Sequence, residues 1–436
     1  MGVKVKRIFK LLKSKEVILF FIIFNVYLLT PRFLATADGY PNRILPISII
    51  KDQDFYLDEF VAELKPEQIS YSVRLVNGHY VSSYPPGVAL LAVPLYFIPV
   101  LTNALNSPVA ITTMARIAAG ILAALSAVFV YKILKRFIFG RWPLIITILY
   151  AFGTCQWAIN SQDLWKHTGT QFLLTAAIYL LFSEKISKNK IMILGFVVAS
   201  LITVKQLNIV FIGLISLYVF IQYRKYFWQY VLGAVTPALF FVLYNIHYLG
   251  TFSDIGYGEG IYNPLAVTSN TNPGNVLGAF FGQFISPARG MLFFSPVLVF
   301  AFIGMGLVFK KKNIFPTDLL LFLRLAIPLI VVYAFLVSRW ITWWGGSVYG
   351  YRMVIDLLPF IILFFIPVIY SRFWQSKNIK GIFFVLLAFS VFVQFSGVIA
   401  WDESWYYQNN LNNNLDSKIF WSFADNPVFH YAKKFL

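Results

Sequence analysis

Long apolar windows separated by short polar segments run along almost the whole chain. Windows long enough to cross about 30 Å of hydrocarbon are typical of transmembrane helices. They fall near residues 17–36, 109–131, 142–160, 168–183, 191–205, 207–222, 227–249, 291–309, 316–338, 353–370 and 380–400. The pattern predicts an all-α polytopic membrane protein of about eleven spans, forming one integral membrane domain over residues 1–436. Its weakest boundary separates the fifth and sixth spans, which only Lys205, Gln206 and Leu207 divide.

The composition excludes an ordinary soluble domain. Of the 436 residues, 59% are hydrophobic and 12% are charged, and the mean hydropathy is +0.71. No compact soluble fold can hide that much apolar surface from water. The single cysteine, Cys155, can form no intramolecular disulfide, and the sequence has no CxxC pair and no Cys/His metal spacing. Redox chemistry is therefore not expected.

The positive charges predict how the spans are oriented. If the N-terminus lies inside the cell, the connections on that side are short and basic and hold 21 of the 36 Lys and Arg residues. Fifteen of the 18 acids then lie on the outer side, counting Asp356 about one turn inside the tenth span. This asymmetry follows the positive-inside rule. It predicts an N-in/C-out protein of the plasma (inner) membrane, with its active site facing the periplasm or exterior, and explains the net charge of +18 without a nucleic-acid partner.

The longer polar connections then all face the outside, so we expect chemistry at the outer surface. They cover residues 37–108, 250–290, 339–352 and the tail 401–436. The first outer loop contains NGHYVSSYPPGVALLAVPLYFIP, residues 77–99. A full span here would invert every later loop, so we expect a short amphipathic helix from near Val88 that lies along the outer interface. The alternative is a twelfth span.

Candidate catalytic and binding side chains gather on this outer side. Asp38 directly follows the first span, where partial desolvation and nearby cations can tune a carboxylate for general-base catalysis. Asp58 and Glu59 form a second acidic group. Candidate ligands of a donor phosphate or sugar are Arg43, Arg74, His79, Tyr84, Lys166, His167, Arg289 and Arg352. Guanidinium groups bind phosphate bidentately and aromatic rings stack on sugars. The alternative is the general enrichment of aromatic and basic residues at membrane interfaces.

Two further hypotheses concern the partners of carboxylates. Asp356 falls inside the tenth span, where an unpaired charge is costly, and Arg352 four positions earlier is its expected partner on a helix. Asp38, Asp58 and Glu59 are oxygen donors of the kind that bind divalent cations. The sequence requires no cofactor, and it assigns no metal site.

Together these elements resemble the GT-C superfamily of polyprenyl-phosphate-sugar-dependent glycosyltransferases, which includes protein O-mannosyltransferases and lipid A aminoarabinose transferases. The matching pieces are Asp38 with Arg43, then YVSSYPPGVALLAVPLY, DLWKHTG, SPARGMLFFSP and WWGGSVYGYR. Two departures concern the aminoarabinose transferases: Gly39 follows Asp38 where they have Glu, and Tyr84 precedes the two prolines where they have Lys. The loop 250–290 is also too short for the folded insertion of protein O-mannosyltransferases.

The resemblance implies transfer of a sugar from a polyprenyl-phosphate donor to a hydroxyl of a surface lipid, polysaccharide or protein, with inversion. Asp38 would be the base that deprotonates the acceptor, while Arg or Lys stabilises the departing phosphate. The alternative is a polymerase, ligase or carrier of lipid-linked glycans. A carrier predicts charges near the bilayer midplane and inverted repeats. A polymerase or ligase would leave Asp38 dispensable.

Overall fold

The computed structural model confirms an all-α architecture. It describes residues 14–30, 36–63, 72–251, 276–310, 316–340, 342–411 and 417–435. The protein is 75% helical, and the one sheet in its described part is a two-stranded hairpin. The basic N-terminal segment and most of the 250–290 loop lie outside the described residues.

The described helices are numbered in chain order. Up to residue 249 they are α1 (Lys15–Leu28), α2 (Tyr40–Lys51), α3 (Gly87–Leu101), α4 (Pro108–Phe137), α5 (Trp142–Phe152), α6 (Lys166–Leu181), α7 (Lys188–Val204), α8 (Ile209–Gln222) and α9 (Phe227–Leu249). Later they are α10 (Val276–Ile285), α11 (Met291–Phe294), α12 (Val299–Lys310), α13 (Thr317–Ser338), α14 (Leu358–Ile361), α15 (Phe365–Ile369), α16 (Lys377–Ala400), α17 (Ser404–Gln408) and α18 (Pro427–Ala432). The hairpin strands are β1 (Val73–Val76) and β2 (His79–Ser82).

Five helical stretches in the described part are long and apolar enough to cross a membrane. They are Pro108–Phe137, Arg224–Leu249, Thr317–Ser338, Arg352–Ile369 and Lys377–Ala400. Shorter apolar helices accompany them, including α3, α5 and α10. By length and composition the chain is a multi-pass helical membrane protein.

The weak boundary at Lys205 is a real interruption. Helix α7 ends at Val204, Lys205 is extended with φ −161° and ψ 126°, and a 3₁₀ turn leads into α8. The Leu201 carbonyl accepts two hydrogen bonds at this break, from the Lys205 backbone N–H over 3.2 Å and from Asn208 Nδ2 over 2.9 Å. The break frees the Lys205 side chain to turn into the bundle.

Helices α7 and α9 approach each other through two glycines. A Cβ on Gly195 would collide with the Tyr230 carbonyl, and one on Gly233 would collide with the Met192 carbonyl. Small residues at such crossings let helix backbones come close in membranes. This contact ties the middle of the chain into one bundle.

The C-terminal end of α1 is fixed by a single buried arginine. Arg116 of α4 donates from Nη2 to the carbonyls of Tyr27, Leu28 and Thr30 over 3.3, 3.0 and 2.6 Å. Carbonyls at a helix end otherwise lack partners. The end of α1 is therefore held in place before the chain reaches Asp38.

Helix α3 is the helix that the sequence predicts to begin near Val88 and to lie along the membrane interface. Its 15 residues are about 22 Å long at 1.5 Å per residue, less than the thickness of the hydrocarbon core. Ala89, Ala92 and Tyr96 are buried against the bundle, whereas Ile98 on another side is 71% exposed. The helix packs on α2, and both helices belong to the segment of residues 37–108.

Candidate active site around Asp38 and Arg352

Asp38 lies in the turn between α1 and α2, and its carboxylate is buried. Tyr84 Oη donates to Oδ1 over 2.6 Å, and Arg352 Nη2 donates to Oδ2. The Gly39 backbone N–H closes the turn by donating to the hydroxyl and carbonyl oxygens of Thr36. Both carboxylate oxygens are thus bonded, one to a hydroxyl and one to a cation. The structure brings three predicted site residues together here.

Arg352 has a different partner from the one predicted. Its guanidinium turns to Asp38, and Nη1 donates to the Gly345 carbonyl over 3.2 Å. The pair with Asp356 does not form because Arg352–Leu357 is a 3₁₀ segment rather than an α-helix. With three residues per turn, positions four apart lie on different faces. The predicted Arg352–Asp356 pair is wrong.

Asp356 instead lies in a buried polar cluster. His167 Nδ1 is 2.9 Å from Oδ1, while Lys205 Nζ and Tyr333 Oη donate to Oδ2 over 2.9 and 2.7 Å. A buried carboxylate is stable only when several partners compensate its charge. His167, a predicted ligand of the donor, is one of the partners of Asp356 in this cluster. No pattern in the sequence distinguishes Tyr333, which is one aromatic residue within an apolar helix.

The start of α6 supplies two aromatic and cationic contacts to the site. The Arg352 Cζ atom lies 4.3 Å from the Trp165 ring centroid. Lys166 Nζ lies 3.7 Å from the ring centroid of Tyr84. Cations over aromatic faces are stabilised most when they are desolvated, and both Trp165 and Lys166 are buried. A second cation therefore lies next to the tyrosine that bonds Asp38.

Arg43 pairs with Asp163 rather than with Asp38. Its Nε and Nη2 groups donate to Oδ1 and Oδ2 over 2.9 and 2.5 Å, and both side chains are at least 95% buried. Nη2 also donates to the Thr36 carbonyl over 2.9 Å. The bidentate face that would bind a phosphate is thus occupied by a carboxylate. This geometry does not support Arg43 as a phosphate ligand; it holds the Asp38 turn against α6.

Asp58 and His79 stabilise the hairpin. Residues Asn77 and Gly78 both have positive φ, 51° and 87°, which suits a two-residue hairpin turn. Asp58 is 2.7 Å from His79 Nδ1 and accepts the Tyr80 backbone N–H over 2.7 Å. The Asp58 and His79 side chains are 42% and 49% exposed. Neither contact reaches the Asp38 cluster.

The remaining first-loop candidates also have local contacts. Glu59 accepts a hydrogen bond from the Ser48 hydroxyl over 2.5 Å, and partial burial raises the pKa of its carboxyl. Arg74 lies on β1 opposite Val81. The three acids considered as cation ligands thus have separate partners. Within the described ranges, no group of three or more His, Cys, Asp or Glu side chains is placed to hold a metal ion.

Two glycines shape the loop beside Arg352. Gly345 and Gly346 have φ of +83° and +76°, a conformation that other residues adopt only with strain. The Gly345 carbonyl accepts from Arg352 over 3.2 Å, and the Gly346 carbonyl accepts from Arg289 Nη2 over 3.0 Å. Because both glycines have a left-handed backbone conformation, the Gly345 carbonyl faces Arg352 and the Gly346 carbonyl faces Arg289. The WWGG element positions both predicted cations.

Comparison with solved structures finds similarity to the oligosaccharyltransferase of Archaeoglobus fulgidus. Its crystal structure with a tethered acceptor peptide matches with a TM-score of 0.49 and 12% identity, over 93% of this chain and 58% of that one. The apo form matches with a TM-score of 0.47 and 12% identity, over 93% and 59%. The complex with an inhibitory peptide and a dolichol-phosphate gives 0.48 and 10%, over 93% and 59%. The chain thus spans less than two thirds of these structures.

That oligosaccharyltransferase is a GT-C superfamily glycosyltransferase, the superfamily that the sequence resembles. With identities of 10–12% and TM-scores below 0.5, the likeness specifies neither a substrate nor a reaction. No protein family model and no curated relative matches the sequence. The function therefore rests on the side chains of the site.

Proposed function

We propose that the protein is a GT-C type glycosyltransferase that moves a sugar from a polyprenyl-phosphate-sugar donor to an acceptor hydroxyl at the outer face of the plasma membrane. The acceptor is a surface lipid, a polysaccharide or a protein. The observation that carries the proposal is the buried Asp38 carboxylate, bonded by Tyr84 and Arg352 just beyond the first helix. A base and a cation side by side are what transfer from a phosphate-linked sugar requires.

The reaction is a single displacement at the anomeric carbon. The acceptor oxygen forms a bond to that carbon while the bond from the carbon to the phosphate oxygen breaks, and the electron pair leaves with the phosphate. The acceptor proton passes to Asp38, with inversion of configuration. Arg352 and Lys166 are the nearest cations that would stabilise the departing phosphate. This step needs no nucleotide, and it assigns no role to a divalent cation.

The proposed topology has eleven spans with the N-terminus inside and the tail outside. The five long apolar helices and the shorter apolar helices between them support a multi-pass arrangement. Basic connections such as residues 131–141 and 183–190 supply the orientation through the positive-inside rule. In this topology the Asp38 turn, the start of α6 and the WWGG element all face outward, where a lipid-linked donor can present its sugar.

Mass spectrometry of surface lipids, polysaccharides and glycoproteins from a deletion strain tests the proposal. We expect one glycan to lack a single sugar, and the wild-type gene to restore it. Loss of a whole repeating unit or of polymer length would instead assign the chain to the polymerases, ligases or carriers of lipid-linked glycans. An unchanged glycan profile would refute both functions.

A further inference from the structure

Residues 417–435 fold back along α16. Helix α18 packs against α16, and its side chains Val428 and Tyr431 are buried. The Tyr431 ring lies edge-on to Tyr349 with centroids 5.9 Å apart, and Tyr349 Oη donates to the Val393 carbonyl of α16 over 2.7 Å. The segment therefore lies beside the last turns of an apolar helix that is long enough to cross a membrane.

One aromatic ring of this segment lies on the exposed apolar side of α16. The rings of Phe435 and Phe395 are 5.7 Å apart with planes at 36°. Phe395 is 39% exposed and lies on the same side of α16 as Val385 and Phe392, which are 68% and 40% exposed. It precedes Ala400, the last residue of α16, by about 7.5 Å at 1.5 Å per residue. Because the exposed side of a spanning helix contacts lipid, the Phe435 ring lies at the depth of the hydrocarbon.

The preceding side chain points the other way, towards the end of α16. Lys434 Nζ donates to Asp402 Oδ2 over 2.5 Å and to the Ala400 carbonyl over 3.5 Å. The ammonium group therefore lies where α16 ends, while the neighbouring Phe435 ring lies beside Phe395. Lysine side chains near a membrane boundary extend in this manner to keep the charge in the headgroup region. The chain thus crosses the boundary between headgroups and hydrocarbon at these two residues.

Two further aromatic rings of the segment are exposed. Phe423, Phe429 and Phe435 are 68%, 43% and 42% exposed. The rings of Phe423 and Phe429 lie 6.1 and 6.2 Å from that of Phe293, directly before the apolar helical stretch Pro296–Lys310. Aromatic side chains are enriched where membrane and water meet. The exposed rings therefore lie where the chain enters two apolar helices.

We propose that residues 417–435 form an interfacial membrane anchor, in which the rings of Phe423, Phe429 and Phe435 enter the lipid leaflet at the Ala400 end of α16. Lipid is the occupant of this surface because the surface continues the exposed apolar side of α16, and because Lys434 extends from it towards the headgroups. The inference goes beyond the proposed function, since it requires only that α16 spans the bilayer.

The opposite side of the anchor contacts the WWGG element. The Phe420 ring stacks on Trp344 with centroids 4.9 Å apart and planes at 29°. The Phe420 carbonyl accepts from the Ser286 hydroxyl over 2.5 Å. The same short segment is therefore held by protein contacts at Phe420 and by lipid at Phe429 and Phe435.

Spin labels on single cysteines in the full-length protein test the anchor in phosphatidylcholine nanodiscs. The labelled variants are Phe435→Cys and Phe429→Cys, and buried Cys155 gives little background. Val385→Cys on α16 is the lipid control and Gln408→Cys is the water control. Both control positions are exposed on the protein surface. The measurement is the collision rate of each label with oxygen, which concentrates in lipid, and with a water-soluble nickel complex.

We expect the ratio of oxygen to nickel collisions at Phe435→Cys to exceed that at Gln408→Cys at least about fivefold and to approach that at Val385→Cys, because a polar complex is excluded from hydrocarbon. If Phe435→Cys does not fold, Phe429→Cys gives the same test. Nickel collisions as frequent as at Gln408→Cys would overturn the proposal, since the segment would lie in water. Low collision rates with both reagents would also overturn it, because protein would then cover the surface, and broadening between labels would identify a second copy.

Discussion

At the scale of single residues, the carboxylates of Asp38 and Asp163 are bonded by different arginines. Asp38 is bonded by Arg352 and remains beside Tyr84 and Lys166, whereas Asp163 is held bidentately by Arg43 in a fully packed setting. The first arrangement places a carboxylate beside a phenol and two cations. The second is a structural pair that fixes the turn.

We expect Arg43→Met to destabilise the protein by about 3–5 kcal/mol, because it leaves Asp163 charged and buried. A double variant, Arg43→Met with Asp163→Leu, should recover part of that loss. Unfolding temperature in detergent measures both. The exposed pair of Lys434 and Asp402 is the control, and Lys434→Ala should cost less than about 1 kcal/mol. If Arg43→Met and Lys434→Ala lowered the stability equally, Arg43–Asp163 would not be a stabilising buried pair.

Tyr84→Phe should lower transfer about tenfold while lowering the unfolding temperature by only a few degrees. The variant removes one hydrogen bond to Asp38, worth about 1–1.5 kcal/mol, but keeps the ring under Lys166. Tyr96→Phe is the matched control, because the Tyr96 hydroxyl is buried with no hydrogen-bond partner among the described residues. The measurement is the amount of glycan restored in the complemented deletion strain. Equal restoration by both variants would show that the Tyr84 hydroxyl has no role in transfer.

The sequence could predict a site residue only where the evidence for it lay in its own neighbourhood along the chain. Asp38 was predictable because a lone acid at the end of an apolar window is unusual. Its partner Arg352 is 314 positions away, and no spacing rule connects the two. The Arg43–Asp163 pair likewise joins positions 120 apart. The sequence therefore indicated Arg43 as a candidate ligand of the donor phosphate and not as the partner of Asp163.

At the scale of elements, interruptions in helices place most of the site. Lys205 reaches Asp356 because α7 stops one residue earlier. The 3₁₀ geometry of Arg352–Leu357 sends Arg352 towards Asp38. Hydropathy predicted that these segments exist, since apolar windows report burial. It could not predict the local change of helical period, which depends on side-chain contacts made elsewhere in the fold.

We expect Gly346→Ala to be destabilising by about 1–2 kcal/mol, since its φ of +76° is strained for any residue with a Cβ. The displaced carbonyl would also release Arg289, and transfer should fall. Gly306→Ala on α12 is the control. A Cβ there meets nothing within 4 Å, and alanine in a helix should be neutral or stabilising. Unfolding temperature and glycan restoration are measured together. A Gly346→Ala protein as stable and active as wild type would contradict the role of the WWGG turn.

At the scale of the whole molecule, the proposed reaction requires that all parts of the site face the same side of the membrane. The site draws on the segment of residues 37–108, the start of α6 and the WWGG element. These segments meet in the fold although they are spread over the entire sequence. A shared outer face is therefore the simplest topology in which they serve one reaction.

Cysteine labelling checks this topology. The wild-type chain gives little background, since its one cysteine, Cys155, is buried. A membrane-impermeant maleimide should label Gln408→Cys in intact cells, but Lys188→Cys only after permeabilisation. Both positions are exposed on the protein surface. Labelling of Lys188→Cys in intact cells would invert the proposed orientation.

The most direct measurement compares two aspartates in the complemented deletion strain by glycan mass spectrometry. Asp38→Asn should leave the sugar missing, because removal of a general base costs about 10²–10⁴ in rate. Asp58→Asn, which alters an acid of the same loop bonded to the hairpin, should restore the wild-type glycan. Full restoration of the glycan by Asp38→Asn would contradict the account, because Asp38 would then not be the base.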